Sequence, residues 1–160
     1  MRGGTLNSPG GDVSINPRGT VLLVDEDDDD RHYYSTILRA FGYDVRSFGS
    51  YNLGACALDV DAFDLVVVSQ GSSRFEGRCV LERANQIDRR LPVLVVARHL
   101  DMPCYLEAMR LGAADYLSEP ITVQELGRAA ETHLRERMSS QERALRTNLR
   151  ERSAGASGCQ

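Results

Sequence analysis

Lysine is absent from the 160-residue sequence, and all 19 of its basic residues are arginines. Any site that depends on a lysine ammonium group is therefore excluded. No apolar run approaches the roughly 18–20 residues that a membrane-spanning helix needs. Residues 1–11 also lack the apolar stretch of a secretory signal. Together these absences predict a cytoplasmic protein that has no contact with a membrane.

Closely spaced cysteines are missing as well. The four cysteines form no C-x-x-C pair, which argues against a zinc site or a disulfide framework; they are Cys56, Cys79, Cys104 and Cys159. We expect reduced thiols, several of them packed in the core. The net charge of −4 gives no reason to expect binding to nucleic acid.

The length of the chain suits one domain with tails rather than two domains. Residues 1–18 are rich in glycine, serine, asparagine and proline, and they predict a flexible tail. A globular domain is expected at 19–136, followed by a helical extension at 137–152. Residues 153–160 have a composition similar to the first tail and predict a second flexible end.

Short apolar runs alternate with helix-like segments between the tails. The runs at 21–24, 65–68 and 93–96 are continuously apolar, which is typical of strands buried on both faces of a parallel sheet. Weaker strand patterns lie at 44–48 and 114–117. Five strands alternating with five helices predict right-handed crossovers and a doubly wound α/β sheet.

Polar residues mark three of the predicted helix starts. Ser73 with Glu76, and Thr122 with Glu125, have the spacing of a capping box, in which two side chains satisfy free backbone N–H groups. Asp101 can cap the helix that follows it.

The carboxyl ends of parallel strands are where such sheets bind ligands. Asp25 and Glu26 follow the first apolar run and open an acidic run that continues to Asp30. One interpretation is a solvated helix start, where carboxylates offset the positive end of the helix dipole. The other is a divalent-cation site, since hard cations take carboxylate oxygens. We assign residues 28–30 to the first interpretation and keep both for Asp25 and Glu26.

Four stretches of the chain resemble bacterial two-component response-regulator receiver domains, the CheY-like family. They are VLLVDED at 21–27, FDLVVVS at 63–69, LPVLVVA at 91–97 and AMRLGAADYLSEP at 108–120. The resemblance makes residues 19–136 the receiver-like domain. It implies a flavodoxin-like (βα)5 fold with sheet order 2-1-3-4-5, followed here by a C-terminal helical extension.

The resemblance also implies the residues of a phosphorylation pocket. Asp25 and Glu26 match the acidic pair with which the family holds Mg2+. Ser69 stands where the family has the aspartate that accepts a phosphoryl group. Ala97 replaces the family's serine or threonine, and Glu119 replaces the lysine that precedes a proline.

These replacements predict a degenerate receiver, or pseudo-receiver, that is not an enzyme. The Ser69 hydroxyl is a poor nucleophile without a neighbouring base. Glu119 exchanges a positive charge for a negative one, and at about 5–8 Å from a phosphoryl charge the repulsion costs about 2–3 kcal/mol. No lysine elsewhere can replace it. We expect no cofactor, and at most weak Mg2+ binding at Asp25 and Glu26.

Two side chains near the predicted pocket leave alternatives open. Tyr116 matches the family's switch aromatic, and we expect it to be fixed, inward or outward. Asp25, Glu26 and Glu119 could form a three-carboxylate cluster that binds a cation or raises one pKa. The alternative, which we favour, is that Glu119 pairs with Arg98 or turns to solvent.

The leading functional hypothesis is phosphorylation-independent protein–protein interaction in signal transduction. In the family the usual contact face is formed by the fourth helix, fifth strand and fifth helix, which lies here between Asp101 and Glu136. A small-molecule or metal sensor is the alternative, because Ser69, Gly71 and Ala97 leave room in the pocket. A phosphorylated regulator with an unusual acceptor is a third, less favoured hypothesis.

The helical extension has two interpretations. It is rich in strong helix formers, and a thin apolar seam runs along it at Leu134, Met138, Leu145 and Leu149. It can be a helix that dimerises the domain as a coiled coil, or an exposed extension that frays beyond Ser139. We favour a homodimer, because an isolated polar helix of this length is marginal in water.

Overall fold

The computed structural model describes residues 17–155. Most of the predicted N-terminal tail and residues 156–160 of the predicted C-terminal tail lie outside the described residues. Residues 153–155, which were also predicted to be a tail, belong to the last helix.

Five strands and five helices alternate along the described chain. The strands are β1 (Thr20–Val24), β2 (Asp44–Phe48), β3 (Leu65–Ser69), β4 (Val93–Ala97) and β5 (Asp115–Ser118). The helices are α1 (Asp28–Ala40), α2 (Tyr51–Val60), α3 (Arg78–Ile87), α4 (Met102–Arg110) and α5 (Val123–Gly155). All strand pairs are parallel and the order is β2-β1-β3-β4-β5. The predicted flavodoxin-like fold with a long C-terminal helix is confirmed.

Helices cover both faces of the sheet. Successive residues of a strand face opposite sides, and in β1 Leu22 and Val24 pack toward α2, α3 and α4. Val21 and Leu23 pack on the other side toward α1 and α5. All four side chains are fully buried. This two-sided burial explains why the central strands are continuously apolar rather than alternating.

Two of the predicted helix starts are confirmed. The Thr122 amide donates to Glu125 Oε2 at 2.8 Å, and the Glu125 amide donates to Thr122 Oγ1 at 3.2 Å. Asp101 Oδ1 accepts from the Cys104 amide at 3.1 Å and caps α4.

The capping box predicted at Ser73 is wrong. Ser72 is the residue that bonds Glu76, its amide donating to Glu76 Oε2 at 2.7 Å. Phe75 has a φ of 56°, a left-handed conformation that interrupts any helix there. The helix α3 therefore begins only at Arg78, and the Ser72–Glu76 bonds close a loop instead.

A close backbone approach holds this loop against the end of β3. A Cβ at Gly77 would lie 2.0 Å from the carbonyl oxygen of Ser69, so only glycine fits. The Gly77 amide also donates to the Gln70 carbonyl at 3.1 Å. The residues that follow β3 are thus fixed next to α3.

The helix α5 continues unbroken through the predicted boundary between residues 136 and 137. Its first half packs on the sheet through Leu126, Ala130 and Leu134. Arg137 still contacts the body, its Nη1 donating to Asp88 Oδ2 at 2.9 Å. Beyond residue 140 nearly all side chains are exposed. Within residues 17–155, no helix is both long and apolar enough to cross a membrane.

Candidate functional site

A polar cavity of about 440 Å³ opens at the carboxyl ends of β1 and β3. Four carboxylates, one guanidinium and three hydroxyls line it; its lining residues are Asp25, Glu26, Asp27, Tyr51, Ser69, Gly71, Ser72, Glu76 and Arg98. The cavity forms where the strand order reverses between β1 and β3, the usual ligand position in an open parallel sheet.

Asp25 is the buried carboxylate of this cavity, with 4% of its surface exposed. Its Oδ1 accepts from the Asp27 amide at 3.0 Å, and its carbonyl accepts from Arg31 Nη1 at 2.8 Å. Burial raises the pKa of Asp25 to about 6, and the nearby carboxylates of Asp30 and Asp27 act in the same direction. Glu26, the other member of the predicted acidic pair, is exposed to solvent.

Asp27 caps the helix that follows. Its Oδ1 accepts from the amides of Asp29 at 2.9 Å and Asp30 at 3.0 Å, which satisfies the first free N–H groups of α1. The Asp30 amide and the Arg98 guanidinium hold the pKa of Asp27 below its usual value. The carboxylates at 28–30 occupy the first turn of α1, as the helix-dipole interpretation predicts.

Arg98 crosses the mouth of the cavity from the end of β4 to α1. Its Nη2 donates to Asp27 Oδ2 at 2.5 Å and to Asp30 Oδ2 at 3.1 Å. The guanidinium therefore places a fixed positive charge beside the acidic run. No local pattern predicts this contact, because Arg98 lies 71 and 68 residues along the chain from its two partners.

Ser69 and Ala97 are the last residues of β3 and β4. Ser69 lines the cavity, and its Oγ accepts from the Gly71 amide at 3.3 Å. Ala97 is 5% exposed and packs in the core beside Tyr116 rather than on the cavity. Of the two, only Ser69 presents a functional group to the cavity.

Glu119 follows β5 and lies outside the cavity. Its Oε1 accepts from the hydroxyl of Tyr34, a buried residue of α1, at 2.7 Å. Burial and the Glu119 carboxylate raise the pKa of Tyr34. Glu119 neither joins Asp25 and Glu26 in the cavity nor pairs with Arg98, and it does not simply turn to solvent, because it is half-buried and bonds Tyr34. Among residues 17–155, no three carboxylate, histidine or cysteine side chains are grouped to hold a metal ion.

Tyr116 lies inward and is held by hydrogen bonds. Its hydroxyl donates to Gln70 Oε1 and lies 3.5 Å from both the Asp101 amide and the His99 carbonyl oxygen. Gln70 is itself only 5% exposed. Sequence reasoning missed Gln70, since a single glutamine after a strand carries no signal of its own.

The fold agrees with comparisons to known proteins. Residues 21–131 match the response regulator receiver domain. The chain belongs to that family. Receiver domains serve signal transduction in two-component systems and are not themselves enzymes.

Relatives of this receiver domain include transcriptional regulators. The chain is 27% identical over 122 residues to transcriptional regulatory protein FixJ of Bradyrhizobium diazoefficiens, covering 76% of this chain and 60% of FixJ. It is 26% identical over 128 residues to the C4-dicarboxylate transport regulatory protein DctD of Rhizobium meliloti, covering 79% of this chain. The match spans 28% of DctD, so the chain corresponds to one part of these longer proteins.

A solved receiver domain shares the fold. The CheY-like response regulator receiver domain protein of Methanospirillum hungatei superposes with a TM-score of 0.71 at 21% identity. The similarity covers 76% of this chain and 97% of that protein.

The buried Asp25 carboxylate predicts a pH dependence of stability. Its pKa is about 6 in the folded chain, against an ordinary value of 3.8. At pH values between these two numbers, the folded state therefore binds more protons than the unfolded state. The free energy of unfolding contributed by Asp25 therefore falls as pH rises from about 4 to about 6. We expect Asp25→Asn to raise the free energy of unfolding by about 1–2 kcal/mol over wild type at pH 7, and to leave it unchanged at pH 3.5.

Urea denaturation in EDTA, at several pH values between 3.5 and 7, measures this difference. Asp29→Asn is the control, because Asp29 is an exposed carboxylate of the same acidic run, in the first turn of α1. If the free energy of unfolding depended on pH in the same way in wild type and Asp25→Asn, the prediction would be contradicted.

Proposed function

We propose that this receiver domain is a pseudo-receiver, which accepts no phosphoryl group and signals through protein–protein contacts. The observation that supports this most strongly is the serine that ends β3 on the cavity wall. Phosphoryl transfer to a receiver needs a charged nucleophile and positive groups around the transferred phosphoryl. Ser69 supplies a neutral hydroxyl in that place, and the chain has no lysine.

The charge of the cavity also opposes a phosphoryl group. With four carboxylates and one guanidinium, the lining carries a formal charge of −3 when all are ionised. The single cation, Arg98, is already engaged by Asp27 and Asp30. A dianionic phosphoryl group would therefore enter against net repulsion.

Intact-mass spectrometry after incubation with acetyl phosphate and Mg2+ tests this proposal. We expect no added phosphoryl mass on the wild-type chain. A variant with Ser69→Asp, Ala97→Thr and Glu119→Lys restores the family's residues, and we expect it to gain a hydroxylamine-labile adduct. An unrelated functional receiver controls for the reagent. A stoichiometric labile adduct on the wild-type chain would contradict the proposal.

We further propose that Arg98 occupies the electrostatic role of a metal ion, so that divalent cations bind weakly. The guanidinium neutralises Asp27 and Asp30, and the raised pKa of Asp25 disfavours its charged form. Removing the guanidinium frees two carboxylates beside Asp25 and Glu26. We expect Arg98→Ala to raise Mn2+ affinity about tenfold or more, because a positive charge close to the cation is removed and the carboxylates it pairs with are freed.

Isothermal titration calorimetry with Mn2+ measures that change. Arg110→Ala is the matched control, since Arg110 also pairs with a carboxylate but lies on α4, away from the cavity. Equal Mn2+ affinities of wild type and Arg98→Ala would refute the role of Arg98. A small-molecule or metal sensor remains the alternative function, and the volume of about 440 Å³ suits it.

The proposed contact for another signalling protein is the face between Asp101 and Glu136. Within this face, α4 exposes Met102, Leu106 and Met109, whose spacing of four and three residues places them on one side of the helix. A contiguous exposed apolar patch of this kind is typical of interaction sites. The cytoplasmic location also stays a prediction.

A second copy of this chain is the partner that we propose for the projecting half of α5. Five residues on one side of this half are spaced alternately four and three residues apart, the repeat of a coiled-coil seam. They are Met138, Glu142, Leu145, Leu149 and Arg152. The three apolar members are each about 60% exposed (58%, 62% and 61%). Water-exposed helices of this length are marginal by themselves, so the seam needs a partner.

An antiparallel arrangement makes this seam self-complementary. In an antiparallel pair related by a two-fold axis, moving forward along one helix means moving backward along the other. The numbers of any two facing residues therefore add up to the same total. When Leu145 faces the second copy's Leu149, Glu142 faces the second copy's Arg152. The two central layers are then apolar and the two flanking layers are ion pairs.

Charge reversal tests the antiparallel homodimer. We expect Glu142→Arg to dissociate the dimer, because it places two arginines opposite each other, and added Arg152→Glu to restore it. Arg150→Glu, outside the seam, should leave the dimer intact. Sedimentation equilibrium measures the mass of each variant. A monomeric wild-type chain, or a Glu142→Arg variant that stays dimeric, would contradict this arrangement.

A further inference from the structure

A second cavity, of about 250 Å³, lies at the opposite end of the sheet, where β4 and β5 begin. The loop before β4, the loop before β5 and the helix α5 form its walls. Its charged and polar lining residues are Arg89, Arg90, His133, Glu136, Arg137 and Ser140. Three arginines against one glutamate give a formal charge of +2 with the histidine neutral. This is a local excess of positive charge in a chain whose net charge is −4.

Arg137 is the buried member of this group. Its side chain is only 11% exposed, and its Nη1 donates to Asp88 Oδ2 at 2.9 Å. Its Nε is buried and has no hydrogen-bond partner among the described residues. A buried donor without a partner is unfavourable. The guanidinium thus stands in the cavity wall as a fixed cation held by Asp88, while its Nε is shielded from solvent.

Asp88 organises the arginines without neutralising all of them. Its Oδ2 accepts from Arg137, and its Oδ1 accepts from the backbone amide of Arg90 at 2.9 Å. The side chains of Arg89 and Arg90 are exposed and form no ion pair with any described residue. Arg89 and Arg90 therefore stand at the rim, with Arg90 within electrostatic reach of Asp88, while Arg137 is fixed in the wall.

His133 completes the wall on α5. Its side chain is 17% exposed, with Nδ1 3.5 Å from Glu136 Oε2 and Nε2 3.8 Å from Asp115 Oδ2. Because Glu136 and Asp115 lie beside this imidazole, the arginines are the main attraction for an anion.

We propose that this cavity binds a small oxyanion: a phosphate group, either free or as the terminal group of a larger small molecule. Arginine presents planar, fixed donors that match phosphate oxygens. A volume of about 250 Å³ lies below the usual range for drug-sized ligands, and it suits one phosphate-sized group. The Ser140 hydroxyl at the wall adds a neutral donor.

A bound oxyanion would connect two elements that the Asp88–Arg137 ion pair also joins. Arg89 and Arg90 lie in the loop after α3, whereas Arg137 and Ser140 lie on α5, just before the helix leaves the body. Contacts to both sides would therefore stiffen the root of the projecting helix. The site itself does not depend on whether the chain is phosphorylated or dimeric.

Titration of the full chain with inorganic phosphate, followed by NMR at constant ionic strength, tests the site. The backbone amides of Arg89 and Arg90 are the reporters at the rim, and we expect them to shift saturably together with the side-chain resonances of Arg137, which lines the cavity. Chloride at the same ionic strength should produce no such shift. Glycerol phosphate as a second probe distinguishes the source, because tighter binding than that of inorganic phosphate indicates a phosphorylated small molecule.

The double variant Arg89→Ala/Arg90→Ala should weaken phosphate binding about tenfold or more, since each arginine contributes charge-assisted hydrogen bonds. Arg143→Ala/Arg146→Ala removes the same charge from the exposed half of α5 and should bind phosphate as wild type does. An equal loss in both variants would reduce the effect to general electrostatics and overturn the site. The absence of a saturable shift at Arg137 would overturn it as well.

Discussion

Burial of the sheet on both faces is the constraint on which the rest of the structure depends. Helices cover the two sides of β1, β3 and β4, so no polar side chain is tolerated within these strands. Polar residues are therefore confined to the strand ends, where Asp25, Ser69 and Arg98 meet at one cavity. The opposite ends of β4 and β5 carry the second cavity for the same reason. The site is a consequence of how the core is covered.

The acidic run after β1 is accommodated by three separate means. Asp27 binds the free amides of α1, and the carboxylates at 28–30 occupy the favourable end of the helix dipole. Arg98 and Arg31 supply positive charge from either side of the run. Asp25 is left buried, and its raised pKa is the remaining cost. A chain that manages its negative charge internally has less need of a bound cation.

The cavities at the two ends of the sheet differ in charge. The cavity at the carboxyl ends of the strands is acidic, whereas the cavity at the amino ends is basic and includes the root of α5. Tyr116 connects β5 to Gln70 after β3 through buried hydrogen bonds. These bonds hold the tyrosine inward with protein groups alone, which fits a domain whose conformation is set without a phosphoryl group.

Local patterns in the sequence located the elements and most of their ends, although α3 begins later than predicted because Phe75 adopts a left-handed conformation. Continuous apolar runs located the three central strands, and short-range polar pairs located the starts of α4 and α5, because both signals act within a few residues. Partners distant along the chain were decided only by the tertiary structure: Glu119 binds Tyr34, 85 residues away, and Arg98 binds Asp27, 71 residues away. Strand order and helix rotation select such partners, and no local pattern encodes either one. The placement of Ser69 at a strand end was therefore predictable, whereas the surroundings of Glu119 and Arg137 were not.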